Sequence, residues 1–129
     1  MASILRVNTL TDASSNNSVA TSVIFSGSAK AWFQLNCTGT PANRGSFNVS
    51  SVTDNATGNM TENFTASMND QNYATVGMAG GKSGAYTENF NHYYVDNPCL
   101  TGSVQVAIDY NNSLSDGERV AGQVSGDLA

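Results

Sequence analysis

"SVQVAIDY" (103–110) decides the fold. Val104, Val106, Ile108 and Tyr110 alternate with Ser103, Gln105, Ala107 and Asp109. A period of two puts one set of side chains on each face of a strand, as a half-buried sheet requires. A helix would need apolar residues at i, i+3, i+4 and i+7, and no long window of this chain keeps that spacing. "AWFQLNC" (31–37) repeats the alternation, with Phe33, Leu35 and Cys37 on one face and Trp32, Gln34 and Asn36 on the other. "GTPANRG" breaks it, since Gly and Pro punctuate turns. "SFNVSSV" (46–52) resumes it, with Phe47 and Val49 expected inward. "TDNATGN" (53–59) is a hairpin loop whose Asn and Gly tolerate positive φ. "MTENFTASM" (60–68) returns with Met60 and Phe64 on one face, and "NYATVGMA" (72–79) sets Val76 and Met78 opposite Tyr73.

Short strands at this spacing, joined by polar turns, predict an all-β fold: an antiparallel β-sandwich of jelly-roll-like kind over residues 30–110. Before it lies "ILRVNTLTDASSNNSVATS" (4–22), a weakly alternating hairpin with a wholly polar turn. Two short strands are not stable alone in water. Residues 1–29 are therefore read as an extended arm for attachment or oligomerisation, with Ile4, Leu5, Val7 and Leu10 as its contact residues and Trp32 beside them at the start of the sandwich. "NNSLSDGERVAGQVSGDLA" (111–129) lacks an apolar period and is read as an extended C-terminal tail, ordered only against a partner. "GGKSGAYTENFNHYYVDNPCL" (80–100) is read as a loop excursion with one edge strand.

The chain has 129 residues, the size of one domain. Charged residues make up 12% of it, half the usual ~25%. Ser, Thr and Asn, about a third of the chain, supply its polarity instead. A net charge of −5 with five Lys and Arg leaves no basic footprint for nucleic acid. No stretch nears the ~20 apolar residues of a membrane span. The start of the chain lacks a basic region leading into an apolar run, so synthesis in a cytoplasm is expected. Seven Asn-x-Ser/Thr triplets, among them Asn48 and Asn63, then follow from composition rather than from glycosylation. Cys37 and Cys99 are expected to be two buried free thiols, with one bridge between them as the alternative.

Catalytic, cofactor and metal signals are weak throughout. His92 is the sole histidine, no G-x-S-x-G elbow accompanies it, and it reads as a surface-loop residue. The ten acidic residues are dispersed singly, so no carboxylate pair or calcium loop stands out. Glu62 is the exception. It shares a strand face with Met60 and Phe64, where a charge is costly unless paired. Exposure of the strand end, a partner in Arg44 or Lys30, and an ion pair to another subunit are the candidate explanations. The best binding candidate is the aromatic set Tyr86, Phe90, Tyr93 and Tyr94 with His92, because Tyr offers a flat apolar face and a polar tip to sugars or proteins. Packing against the sheet is the competing explanation.

The runs "SILRVNTLTDASSNNSVATS" (3–22), "AKAWFQLNCTGT" (29–40), "RGSFNVSSVTDNATGNMTENFTASMNDQNYATVG" (44–77) and "SVQVAI" (103–108) resemble a family of bacteriophage virion proteins, the tail-fibre and tail-tip proteins common in marine phages. The resemblance covers roughly residues 3–78 and 103–108. It implies a non-enzymatic structural protein on an extracellular particle, homotrimeric, bound to other virion proteins and without cofactors. Residues 79–102 lie outside it and are where contact with a host-surface glycan or protein would sit. Position 62 departs from the family pattern, which is apolar there, and the tail from Asn111 is extra. Two rivals stand beside this expectation: a capsid decoration or head-fibre protein clasping the shell with arm and tail, and a carbohydrate-active fibre enzyme using His92 or Asp96.

Overall fold

The structure, a computed structural model, describes residues 4–81, 87–92 and 97–129. The chain starts with a hairpin, β1 (Thr9–Thr11) against β2 (Ser18–Ala20), and a helix, α1 (Thr21–Gly27). The all-β part follows: β3 (Ala31–Asn36), β4 (Ala42–Phe47), β5 (Val49–Ala56), β6 (Asn59–Phe64), β7 (Ala74–Gly80), β8 (Thr87–His92), β9 (Cys99–Leu100), β10 (Ser103–Tyr110), β11 (Ser113–Leu114) and β12 (Arg119–Ser125). They form one antiparallel sheet in the order β4-β3-β12-β7-β8-β10-β6-β5, with β9 and β11 as short additions to β10.

This sheet nearly closes on itself. Its two halves, β4-β3-β12-β7 and β8-β10-β6-β5, meet at one corner through two residue pairs, Ala79 with Glu88 and Gly80 with Thr87. At the other corner β4 runs into β5 through Asn48, whose φ is +55°. That conformation is strained for most L-residues but tolerated by Asn. The Asn48 side chain makes the corner specific: Nδ2 donates to the carbonyls of Lys30 and Ala66, each at 3.0 Å, and Oδ1 accepts from the Ala66 N–H at 2.7 Å. The kink also reverses the side-chain alternation. Val49 packs toward the core as expected, but Phe47 does not; it turns outward and is exposed.

The core follows the alternation of the strongest strands. Phe33, Leu35 and Cys37 from β3 and its end, Met60 and Phe64 from β6, and Val104, Val106 and Ile108 from β10 are all buried. Both cysteines are free and buried. Full burial of such side chains stabilises by roughly 1.5–3 kcal/mol each.

Residues 111–129 depart from the expectation of a tail. β12 lies between β3 and β7, pairing Val120 with Leu35 and Ala79, and Val124 with Ala31 and Thr75. The last residues are tied down as well: Ala129 N–H donates to Ser67 O at 3.0 Å, and Asn69 N–H to Asp127 O at 2.8 Å. The period of two in β12 is hidden because its middle inward position is Gly122. A Cβ there would lie 2.2 Å from Phe33 Cζ. The Phe33 ring occupies the space that a side chain of β12 would otherwise fill.

The same filling explains β7. A Cβ at Gly77 would stand 2.8 Å from the Phe90 ring, and Phe33 and Phe90 pack with centroids 6.4 Å apart. With two rings across the interior, β7 can turn only small residues inward, and its large apolar ones, Val76 and Met78, face solvent. β8 also differs from the expectation of an edge strand, because it pairs with β7 on one side and β10 on the other.

The N-terminal segment is built differently. β1 and β2 pair over three residues, Thr9 with Ala20, Leu10 with Val19 and Thr11 with Ser18. Asp12 organises the turn, accepting from the Asn16 N–H at 3.0 Å and from Asn17 Nδ2 at 2.8 Å. The helix α1 was not legible as such, being two turns long with no acidic residue in its first turn and no basic one in its last. None of its residues is buried. Lys30 joins this segment to the barrel: its Nζ donates to the Phe25 carbonyl and to Ser28 Oγ and lies 3.9 Å above the Phe25 ring.

Candidate functional site

Three places on the molecule were candidates from sequence: the arm with Trp32, the 79–102 segment, and Glu62. The structure treats them differently.

Within 79–102, Tyr86, Tyr93 and Tyr94 lie outside the described residues. Phe90 and His92 are both on β8, on the parity that faces inward. Phe90 is partly buried against the core, and its ring pairs with Phe33. His92 sits in a strand opposite Val106, with its Nε2 buried. Neither matches the expected surface loop, so Phe90 and His92 are corrected from contact residues to barrel residues. The outward positions of β8 are Asn89 and Asn91, whose amides both donate to the Asp109 carboxylate on β10.

Glu62 is fully buried, and none of the three expected explanations holds for it. Lys30 is committed to α1, and Arg44 stands 3.9 Å from Glu118 at the surface. Glu62 instead accepts a hydrogen bond from Asn43 Nδ2 at 2.7 Å, across the interior from β4. Its other oxygen, Oε1, and Asn43 Oδ1 are both buried acceptors with no donor. Burial raises the Glu62 pKa to about 7, against the lowering effect of Asn43. A proton on Glu62 is what this pocket of acceptors lacks. The neighbouring Cys37 thiol is also held neutral, its pKa pushed up to about 12 by burial and then by the charges of Asp116, Glu62 and Glu88. Glu88, from β8, is buried too and accepts from Ser115 Oγ at 2.7 Å. Among the described residues no group of three or more His, Cys, Asp or Glu is placed to hold a metal ion. No described helix is long and apolar enough to cross a membrane. Glu62 and Asn43 therefore read as interior structure with a titratable centre.

The exposed apolar surface is concentrated in two places. One is the arm, where Ile4, Leu5, Val7, Leu10, Val23, Ile24 and Phe25 are all exposed, Leu5 to 81%. The other is the outer face of β4-β3-β12-β7. There the register sets Phe47 beside Trp32, Trp32 beside Gln123, and Gln123 beside Val76 in one row. The next row runs Gly45, Gln34, Ala121 and Met78. The Trp32 ring lies over Gly45, 3.5 Å from where a Cβ would be. Trp32, Gln34, Val76, Met78, Ala121 and Gln123 line a shallow groove of about 510 Å³ that contains no charged side chain. Trp32 was singled out from the sequence, and it sits here, 44% exposed. Val76, Met78 and Phe47 were not, since an alternating apolar residue is ordinarily assigned to the inside.

No family model, curated protein or solved structure matches the chain.

Proposed function

We propose that this chain is a structural subunit of a bacteriophage virion, of tail-fibre type, and that it works as a self-assembling homotrimeric module joined to other virion proteins. The observation that carries the assembly part is the arm. Residues 4–27 expose a run of large apolar side chains and bury none of α1 against the barrel. A segment that spends so much apolar surface on solvent is stabilised by a partner. The resemblance of residues 3–78 and 103–108 to tail-fibre proteins supports the virion part. The reading assigns no catalytic residue.

Host contact belongs to the same reading. It rests on Tyr86, Tyr93 and Tyr94 and is tested by adsorption of particles carrying Tyr93→Ala and Tyr94→Ala. The capsid-bound alternative calls for two clasps, arm and tail. Residues 111–129 supply β11 and β12 of the barrel, which leaves that alternative with the arm alone. Cryo-electron microscopy of the parent particle tests both: density at the tail with a few copies supports the fibre reading, and hundreds of copies on the shell overturn it. Light scattering after size exclusion tests the assembly part on the purified protein, where a compact monomer counts against it.

A further inference from the structure

We propose that the outer face of β4-β3-β12-β7 is the receptor for the N-terminal arm of a second copy of this chain. The inference deepens the proposed function and rests on its claim of self-association.

Three features of the molecule support it. The first is that the face is apolar beyond what the core explains. Val76 and Met78 point outward because Phe33 and Phe90 leave no interior room beside Gly77 and Gly122. That accounts for small inward residues on these strands, but a polar outward residue would have served as well. Instead Phe47 and Trp32 on one side and Val76 and Met78 on the other flank Gln123 and Ala121 of β12, with Met78 71% exposed. The second is matching chemistry. No charged side chain lines the groove, Arg119 standing exposed at the end of the same face of β12, and residues 4–25 carry one charge of each sign, Arg6 and Asp12, so the contact joins two surfaces of little net charge. Gln34 and Gln123 offer amide donors and acceptors to a chain laid between the apolar side chains.

The third is area. A half-exposed large side chain presents on the order of 100 Å² from the ~150–250 Å² it can bury. The four residues of the face then expose roughly 400 Å² and the arm somewhat more, so one arm on one face covers on the order of 1,000 Å². Specific interfaces bury about 1,200–2,000 Å². A closed ring, in which every chain gives an arm and receives one, leaves each contact at that area but buries about 1,000 Å² of every subunit, against ~800 Å² per partner in a standard interface. Face-to-face packing of two Trp32 surfaces would cover the face but leave every arm in water. Arm exchange covers both surfaces with one contact, and the groove in this chain is free of its own arm, being lined only from β3, β7 and β12.

The test is complementation on the full chain. A face variant carries Trp32→Glu and Met78→Glu; an arm variant carries Leu5→Asp and Ile24→Asp. All four positions are exposed, so melting curves should show both barrels intact. Wild type is expected to be oligomeric by light scattering, and each variant alone monomeric. Mixed one to one, the variants share one sound arm and one sound face, so they should form a two-chain complex weaker than the wild-type ring, read by light scattering across a concentration series. A monomeric wild type overturns self-association and this inference with it. A wild-type oligomer together with an oligomeric face variant overturns the face alone. An arm variant that still assembles, or a mixture that associates no more than either variant alone across the concentration series, overturns the arm as the occupant of the face.

Discussion

Residues 4–27 and residues 30–129 draw on similar amino acids and do opposite things with them. The barrel takes Ser-, Thr- and Asn-rich strands and closes them around a core tight enough to exclude a Cβ at Gly122 and to enclose a carboxyl at Glu62. The arm has Ile4, Leu5, Val23, Ile24 and Phe25 at its disposal and leaves each of them exposed. Apolar content alone therefore does not decide what folds in place. Long-range pairing does: β3 is held from both sides by β4 and β12, whereas β1 has three pairs to β2 and, among the described residues, no second strand beside it. If the comparison is right, substitutions in the barrel should cost stability and substitutions in the arm should cost assembly.

The largest expected effect is at Phe33. It is buried, covers Gly122 and pairs with Phe90. Phe33→Ala opens a cavity at the centre and should destabilise by about 3–5 kcal/mol in urea unfolding. A loss under 1 kcal/mol would mean that the two rings do not set the interior spacing.

Next is Glu62, with a sign that depends on pH. Its pKa is about 7 folded and near 4.5 in the unfolded chain. Between those values the folded state holds a proton that the unfolded state has released, so stability falls as pH rises. The contribution is complete below about pH 4.5, is lost through pH 7, and is flat above; at 1.36 kcal/mol per pH unit it amounts to roughly 3 kcal/mol. Glu62→Gln puts a permanent N–H donor where the proton would be, able to serve Asn43 Oδ1. The variant should match wild type near pH 4.5 and exceed it at pH 8. Unfolding curves of the two proteins that stay parallel from pH 4.5 to 8 would show that Glu62 is ionised throughout.

Asn48 follows, at about 2–3 kcal/mol for Asn48→Ala, from three side-chain hydrogen bonds at about 1 kcal/mol each, discounted for the exposure of two of them, and an unfavourable φ. Asn48→Gly keeps the φ and removes only the bonds, so it should lose less. Equal losses would assign the corner to the side chain alone.

What the sequence disclosed follows the same division. β3, β6 and β10 were legible because large apolar residues mark every second position. β12 was not, since its central inward position is a glycine filled from another strand. Phe47 and Val49 were read on one face because nothing in "SFNV" announces the left-handed turn at Asn48. Glu62 drew attention by its apolar neighbours, yet its partner Asn43 stands 19 residues away and is brought near only by closure of the barrel. The arm was legible as unsupported, though its short helix was not. The apolar outer face was hidden by the rule that puts apolar residues inside.

The smallest effect on stability should come from the largest deletion. Removing residues 1–22 takes away β1, β2 and the first two residues of α1, none of which contributes a buried apolar residue to the core. The Lys30 anchor to Phe25 and Ser28 stays in the shortened chain. Surface changes away from core and caps usually shift stability by no more than about 0.5 kcal/mol, and this deletion should fall in that range for the isolated barrel. Its effect on assembly should be complete, with the shortened chain a monomer at concentrations where the full chain associates. The pairing of those two outcomes is what the comparison requires. A deletion that melts the barrel would mean that the arm folds with its own chain, and one that leaves assembly intact would move the contact between copies onto the barrel itself.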